Sequence, residues 1–198
     1  MKLIIITGPS GSGKTTFSNE LSTLLNNSLV ISTDDYYKTG FTSKILSFFI
    51  NSYFDKLTSL NIKLLRNDLL KIIENKLINH SYKYNFKKKK ITKIDRDFKD
   101  IKHLIIEGIF ALDVFELISK EEYILIQLNT RKEECFKRIL TRDRKERGKI
   151  ESKIFKEFLI GWQIYQKRIL DFKDKNKIKL LTLNGDLNAK SIIEELII

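Results

Sequence analysis

Proline, cysteine and histidine are almost missing from this chain of 198 residues, which has one proline, one cysteine and two histidines. A single cysteine, Cys135, allows no intramolecular disulfide, so stability rests on a packed core and the natural setting is a reducing compartment. With no metal-ligand partner nearby, Cys135 reads as a structural thiol. There is no Pro/Ser-rich linker and no internal repeat, and the only proline lies inside the opening motif, so nothing marks a domain boundary. No apolar run approaches the ~18 residues of a membrane span, and the early "LIIIT" is too short for a signal-peptide core. These absences point to one cytoplasmic domain without a membrane partner. Apolar residues make up 42% of the chain, enough for one sizeable core. Lys and Arg number 37 against 25 Asp and Glu, a net charge of +12. That field favours polyanionic partners, although a Lys-, Asn- and Ile-rich chain is also what an AT-rich coding sequence produces.

What is present is a rhythm. Short apolar runs at 2–7, 28–33, 103–107, 123–128 and 177–183 alternate with helical stretches at 14–26, 63–78, 130–144, 152–171 and 188–197. This pattern predicts an α/β fold, a parallel sheet of about five strands with helices on both faces. In the helix over 152–171, Ile154, Phe158, Trp162, Tyr165 and Ile169 recur every three or four residues and read as a core stripe. Residues 39–100 interrupt the rhythm and read as a substrate-side insertion, with Lys87 to Lys90 as a solvated hairpin turn.

The first run leads into "GPSGSGKTT", residues 8–16. Gly8, Gly13, Lys14 and Thr15 satisfy G-x-x-x-x-G-K-[ST] between a predicted strand and a predicted helix, the context that defines a P-loop. The backbone of Gly8, Pro9, Ser10, Gly11, Ser12, Gly13, Lys14, Thr15 and Thr16 can turn tightly and aim its N–H groups at oxyanions. Lys14 adds a point charge on the β- and γ-phosphates, and the Thr15 hydroxyl suits Mg²⁺. Asp34, after the second run, and Glu107, at the end of the third, fall at the sheet edge where α/β ligands bind. Asp34 suits a base or orienting group for a hydroxyl acceptor, and Glu107 an acidic contact to the metal, which either could share. Asp35 reads instead as a turn cap. In "RILTRDRKERGK", residues 138–149, Arg138 and Arg142 share a helix face and can converge on the charge developing between donor and acceptor. Gly148 would let this segment, 138–150, close as a lid that excludes water.

Four motifs in this order resemble the uridine kinase family of P-loop nucleoside kinases: "GPSGSGKTT", "ISTDDYYK", "IIEGIFAL" and "RILTRDRKERGK". The resemblance covers roughly residues 1–170. It implies a P-loop NTPase fold with an Arg-rich lid, ATP or GTP as donor with Mg²⁺, and transfer to the ribose 5'-hydroxyl of uridine or cytidine, in pyrimidine salvage. It also implies a homo-oligomer. By position, Asp34 falls on the catalytic aspartate, Tyr37 on an aromatic beside the base, and Asp55 of "YFDKLTSLNIKLL" on the carboxylate that holds the ribose diol, with Phe54 beside it. Tyr84, Glu107 and Ile109 match further site positions, and Arg142 and Lys149 match cations near phosphates and acceptor. The departures are Asn85 for an acid, Lys89 for a base-reading histidine, Lys149 for an arginine, and Leu57 and Asn61 for a proline and a second acid. Ribose recognition is therefore better supported than uracil recognition.

Two other readings stay open. The consecutive acids Asp34 and Asp35 also resemble the nicotinamide riboside kinases, and the charge with "YKYNFKKKK" would suit a nucleic-acid-binding P-loop protein. A small-molecule partner is favoured over nucleic acid. His80 reads as an exposed helix-end residue or a substitute base reader, and His103 as structural.

Overall fold

The computed structural model describes residues 1–50, 52–118, 123–176, 180–184, 189, 190 and 193. The first strand, β1 (Lys2–Thr7), is buried from Leu3 onward, as a strand covered on both faces must be. It lies at the centre of a parallel five-stranded sheet with β2 (Ser28–Ser32), β5 (His103–Glu107), β6 (Tyr123–Asn129) and β7 (Leu181–Asn184), in the order β2-β5-β1-β6-β7. Side-chain alternation divides β1 between two cores. Leu3 and Ile5 pack with Leu65, Leu69 and Ile72 of α3 (Ile62–Asn75), Val114 and Phe115 of α4 (Ala111–Ile118), and Tyr165 and Ile169 of α6 (Glu151–Asn176). Ile4 and Ile6 face Phe17 and Leu21 of α1 (Lys14–Leu24) on the other side. Each such aliphatic side chain contributes roughly 1.5–3 kcal/mol on burial. A smaller apolar cluster, Cys135, Ile139, Ile154 and Phe158, joins α5 (Lys132–Arg147) to α6.

The register brings the strand ends together. Glu107, the last residue of β5, lies opposite Ile6 of β1 and Ser32 of β2. Gly108 follows with φ +143°, and an added Cβ there would meet Thr33 Oγ1 at 1.8 Å, so only glycine fits at this crossing.

The expected strands all appear, although residues 177–179 of the last one lie outside the described residues, as does most of the helix expected over 188–197. Within 39–100 the chain forms α2 (Phe41–Phe49), α3 and an antiparallel hairpin, β3 (Ile78–Asn85) with β4 (Lys90–Phe98), which among the described residues pairs with no strand of the main sheet. Lys87–Lys89 sit in the turn of that hairpin. Asn61, read as a lost acid, N-caps α3 by accepting from the Leu64 amide at 3.3 Å. Among the described residues no helix is long and apolar enough to cross a membrane.

Candidate phosphotransfer site

The loop from Gly8 to Thr16 connects β1 to the first turn of α1, so its amides and the positive end of the helix dipole address one small space. Gly11 takes φ +80°, and a Cβ on it would lie 2.5 Å from the Cys135 carbonyl of α5. The Thr130 hydroxyl donates to Ser12 O at 2.9 Å, and Arg138 donates to Gly11 O at 3.4 Å. The loop is thus held by the same helix that carries the candidate cations. Lys14 is buried, and its ammonium donates to Gly8 O and Pro9 O, both at 2.9 Å. Burial holds its pKa below the usual lysine value, although Glu107 and Asp34 pull the other way.

The Thr15 hydroxyl donates to Glu107 Oε1 at 3.1 Å. Burial pushes the Glu107 carboxyl up, opposed by Lys14. Thr15, Glu107 and Asp34 all line one cavity of about 220 Å³ together with the loop, Ile109, Arg138 and Arg142. These donors are all oxygen, the set that suits Mg²⁺, which keeps its remaining positions for phosphate oxygens and water.

A second cavity, of about 510 Å³, adjoins the first, and Ser10, Asp34, Ile139 and Arg142 belong to the walls of both. Asp34 lies in a 3₁₀ turn, Thr33–Tyr36, directly after β2. Beside it the Tyr37 hydroxyl spans Asp34 Oδ1 at 3.3 Å and Phe54 O at 2.7 Å, donating to the closer carbonyl. Tyr37 stands at the centre of an edge-to-face aromatic group, with ring centroids 5.0 Å from Phe54, 5.3 Å from Tyr84 and 5.5 Å from Phe86. Asp55 lines the same cavity. Burial, reinforced by the charge of Asp34, pushes its carboxyl up to about 6 despite nearby Arg168.

Cations close the opposite wall. Asp143, on α5, collects Arg142 at 2.8 Å, Arg147 at 3.2 Å and Lys149 at 3.4 Å. Burial opposes its ionisation, but Arg147 and Arg142 outweigh that and hold its carboxyl below the usual range. Lys149 also pairs with Glu157 of α6 at 2.6 Å, and the Arg147 guanidinium lies 4.0 Å from the centroid of Phe86. Gly148 ends α5 in a left-handed C-cap.

Most of the sequence-selected residues therefore converge on two adjoining cavities, with differences in detail. Ile109 lines the phosphate-side cavity and not the larger one. Tyr84 stands among the aromatic side chains, buried, but is not part of either cavity wall. Lys89 lines the larger cavity and donates to Ser47 Oγ at 2.6 Å. Asp35 accepts from the Tyr84 amide at 2.9 Å, so it anchors β3. His80 is neither exposed nor at a helix end: it is buried in β3 beside Asp68. His103 faces Asn26 O at 3.0 Å at the start of β5, away from both cavities. Cys135 is buried, and burial lifts its thiol to about 11. The stripe on α6 divides: Tyr165 and Ile169 are core, whereas Phe158 and Trp162 also line the larger cavity.

The sequence reading missed the contributions of α6. Arg168 donates to Asp55 O at 3.2 Å and Ile109 O at 3.3 Å and pairs with Asp113 at 3.3 Å. A Cβ on Gly161 would meet Asp55 Oδ2 at 2.8 Å. A glycine in mid-helix, unfavourable by about 1 kcal/mol relative to alanine, was the signal available for the second.

A parallel sheet with a phosphate loop at its central strand, carboxylates at two neighbouring strand ends and a cationic wall facing them defines a P-loop phosphotransferase that draws on a nucleotide phosphate donor. The profile described as "Phosphoribulokinase / Uridine kinase family" matches residues 3–180, and the chain belongs to that family. It is 32% identical to a uridine kinase of Borrelia turicatae over 192 residues, 97% of this chain and 91% of that one. It is 33% identical to a uridine kinase of Ureaplasma parvum serovar 3 over 154 residues, 74% of this chain and 71% of that one. Among solved structures, YFH7 from Saccharomyces cerevisiae shares the fold with a TM-score of 0.66 at 12% identity, covering 93% of each chain.

Proposed function

We propose that this protein transfers the γ-phosphoryl group of ATP or GTP to the 5'-hydroxyl of a ribonucleoside, with uridine and cytidine as preferred acceptors, in cytoplasmic pyrimidine salvage. The observation that carries this reading is that Asp34 and Arg142 belong to the walls of both cavities. A hydroxyl held in the larger cavity would meet the phosphate of a donor in the smaller one between a carboxylate and a guanidinium. The whole chain acts as one kinase domain, with 39–100 as the substrate-side insertion and 138–150 as the lid.

In this mechanism the loop amides and Lys14 bind the phosphates, Lys14 leaving its carbonyl partners for phosphate oxygens. Thr15 and Glu107, with Asp34, would hold Mg²⁺ or its water shell, which would supply neutralisation of the donor's phosphate charge. Asp34 orients the 5'-hydroxyl and accepts its proton as the new phosphorus–oxygen bond forms and the bond from the γ-phosphorus to the bridging oxygen breaks, releasing ADP or GDP. Arg138 and Arg142 meet the charge on the transferring group. Asp55 accepts two hydroxyls from the ribose diol, while Tyr37 and Phe54 hold the nucleoside with Tyr84 packed behind them, Ile109 stands on the phosphate side, and Lys149 supplies a cation beside the acceptor. Little covalent chemistry is needed, because holding donor and acceptor in line supplies most of the rate.

The test is ADP release measured with Mg²⁺ across uridine, cytidine, purine nucleosides and nicotinamide riboside, on the protein and on Asp34→Ala. Turnover with uridine or cytidine, reduced about 10²–10⁴-fold in the variant while ATP still binds, is the expected result. Preference for nicotinamide riboside would replace the acceptor, and full turnover in Asp34→Ala would remove the base.

A further inference from the structure

One buried polar group belongs to neither cavity. Asp68, on the inner face of α3, is 3% exposed, and its Oδ2 accepts the Tyr36 hydroxyl at 3.0 Å and faces His80 Nε2 at 3.3 Å. Tyr36 and His80 are themselves 2% and 7% exposed. The three groups come from three elements: the turn that carries Asp34, helix α3 and strand β3. Tyr82 packs edge-on against both rings, 5.4 Å from Tyr36 and 5.0 Å from His80.

A buried carboxylate is costly unless its lone pairs are satisfied, and apolar side chains of similar volume would fill this space at lower cost. What the polar group adds is direction. Among the described residues the β3–β4 hairpin pairs with no strand of the main sheet; apolar packing of Ile78 and Tyr84 and a backbone bond at its base, Ile101 N–H to Lys76 O, hold it against the core, and polar side-chain bonds add direction. Polar side chains tie strand β3 at two places: His80 to Asp68, and the Tyr84 amide to Asp35 at 2.9 Å, where the exposed Lys83 also pairs with Asp35 at 3.5 Å. Both anchors lead back to residues 33–37, one through the Tyr36 hydroxyl and the other through Asp35 itself. Two points fix a line, so the strand's angle to the Asp34 turn is determined. The aromatic side chains at the end of β3 then meet Tyr37 edge-on, and Phe86 forms part of the larger cavity.

Resting on the nucleoside-kinase reading above, we propose that Asp68 is a positioning residue for the acceptor: by tying Tyr36 to His80 it locks the β3–β4 hairpin to the turn that carries Asp34, and so fixes the aromatic wall of the acceptor cavity relative to that carboxylate. The phosphate-side cavity draws no wall residue from α3 or the hairpin, so loosening this tie displaces the acceptor and leaves the donor in place.

The experiment compares Asp68→Leu with Asp68→Asn, and His80→Leu with His80→Gln, reading KM for uridine, KM for ATP and kcat, together with amide hydrogen exchange of the ligand-free proteins. Asp68→Leu is expected to raise the KM for uridine about tenfold, the size of one or two lost hydrogen bonds, with the KM for ATP within about twofold. Exchange should quicken through residues 78–98 and stay unchanged in β1 and β5. Asp68→Asn and His80→Gln, which retain hydrogen-bonding groups, should recover most of the loss. If Asp68→Leu does not fold, His80→Leu and Tyr36→Phe each give the same split at smaller size. Equal rises in both KM values, no rise at all, or failure of the conservative variants to recover overturns the proposal. Should the unaltered protein phosphorylate no nucleoside, the acceptor reading fails separately, and the exchange data decide: quickening confined to the hairpin supports the tie, and uniform or absent quickening refutes it.

Discussion

Two carboxylates in this protein are driven in opposite directions by their surroundings, and each shift has a measurable consequence. Asp55 is held up to about 6 by burial and then by Asp34. A carboxyl whose pKa is raised on folding adds stability below its ordinary value, and that contribution disappears as pH rises through the folded value. The ligand-free protein should therefore lose melting temperature from this group between about pH 4 and 6, and Asp55→Asn should remove that part of the slope. If the ionised form accepts the ribose diol, the KM for nucleoside falls over the same interval, and a KM flat from about pH 5 to 7 would rule out that role. Asp143 behaves conversely. Its pKa is lowered by Arg147 and Arg142 against the effect of burial, so its contribution is present at neutral pH and lost as pH falls below the ordinary carboxyl range. Asp143→Ala removes the carboxylate shared by three cations; Lys149 keeps Glu157, and Arg142 and Arg147 are left mutually repelling. It should cost about 10–100-fold in kcat/KM, as misplaced phosphate-binding groups do, with the loss read by steady-state kinetics at saturating ATP.

At the scale of elements, α6 shows how stability and function can part. Gly161→Ala replaces a poor helix former and should raise intrinsic helix stability by up to about 1 kcal/mol. The new methyl group would meet Asp55 Oδ2 at 2.8 Å and push that carboxylate off its position. The expected outcome is an undiminished melting temperature with a raised KM for nucleoside, and a variant with unchanged KM would show that Asp55 has room to yield. The same helix explains what the sequence could not disclose. Strands β1, β2, β5 and β6 were legible because strands covered on both faces become short, nearly continuous apolar runs. The phosphate loop was legible because its residues are contiguous. Phe158 and Trp162 were read as core because periodicity identifies a face without saying whether that face meets a partner or a cavity. Helix α2 was missed for a related reason: Phe41, Phe48 and Phe49 are 78%, 80% and 76% exposed, so its apolar residues do not trace a buried stripe. Strand β3 mixes two tyrosines, one lysine and two asparagines around one buried histidine, and its partner β4 is mostly exposed, a pattern too weak to separate from loop.

For the whole molecule, the site is assembled from the ends of β1, β2 and β5 and the facing side of α5, so ligands link distant parts of the chain. Mg·ATP at about 100 times its Kd should stabilise the fold by about 2.7 kcal/mol, or about 5–10 °C in a protein of this size. A melting curve that does not move with saturating Mg·ATP would contradict donor binding at the loop. The net charge of +12 gives a second test at this scale. The proposed acceptor is a small molecule, so RNA binding should be absent at micromolar protein and about 0.15 M salt, whereas a nucleic-acid-binding protein would show affinity falling steeply with ionic strength.

The two carbonyl bonds of Lys14 carry a last consequence. An unloaded nest keeps its own cation occupied, so a triphosphate enters by trading partners, and its affinity is a difference between two sets of bonds. Lys14→Met deletes both sets. Its melting point without nucleotide has to be known before any weakened affinity is credited to a missing contact with phosphate.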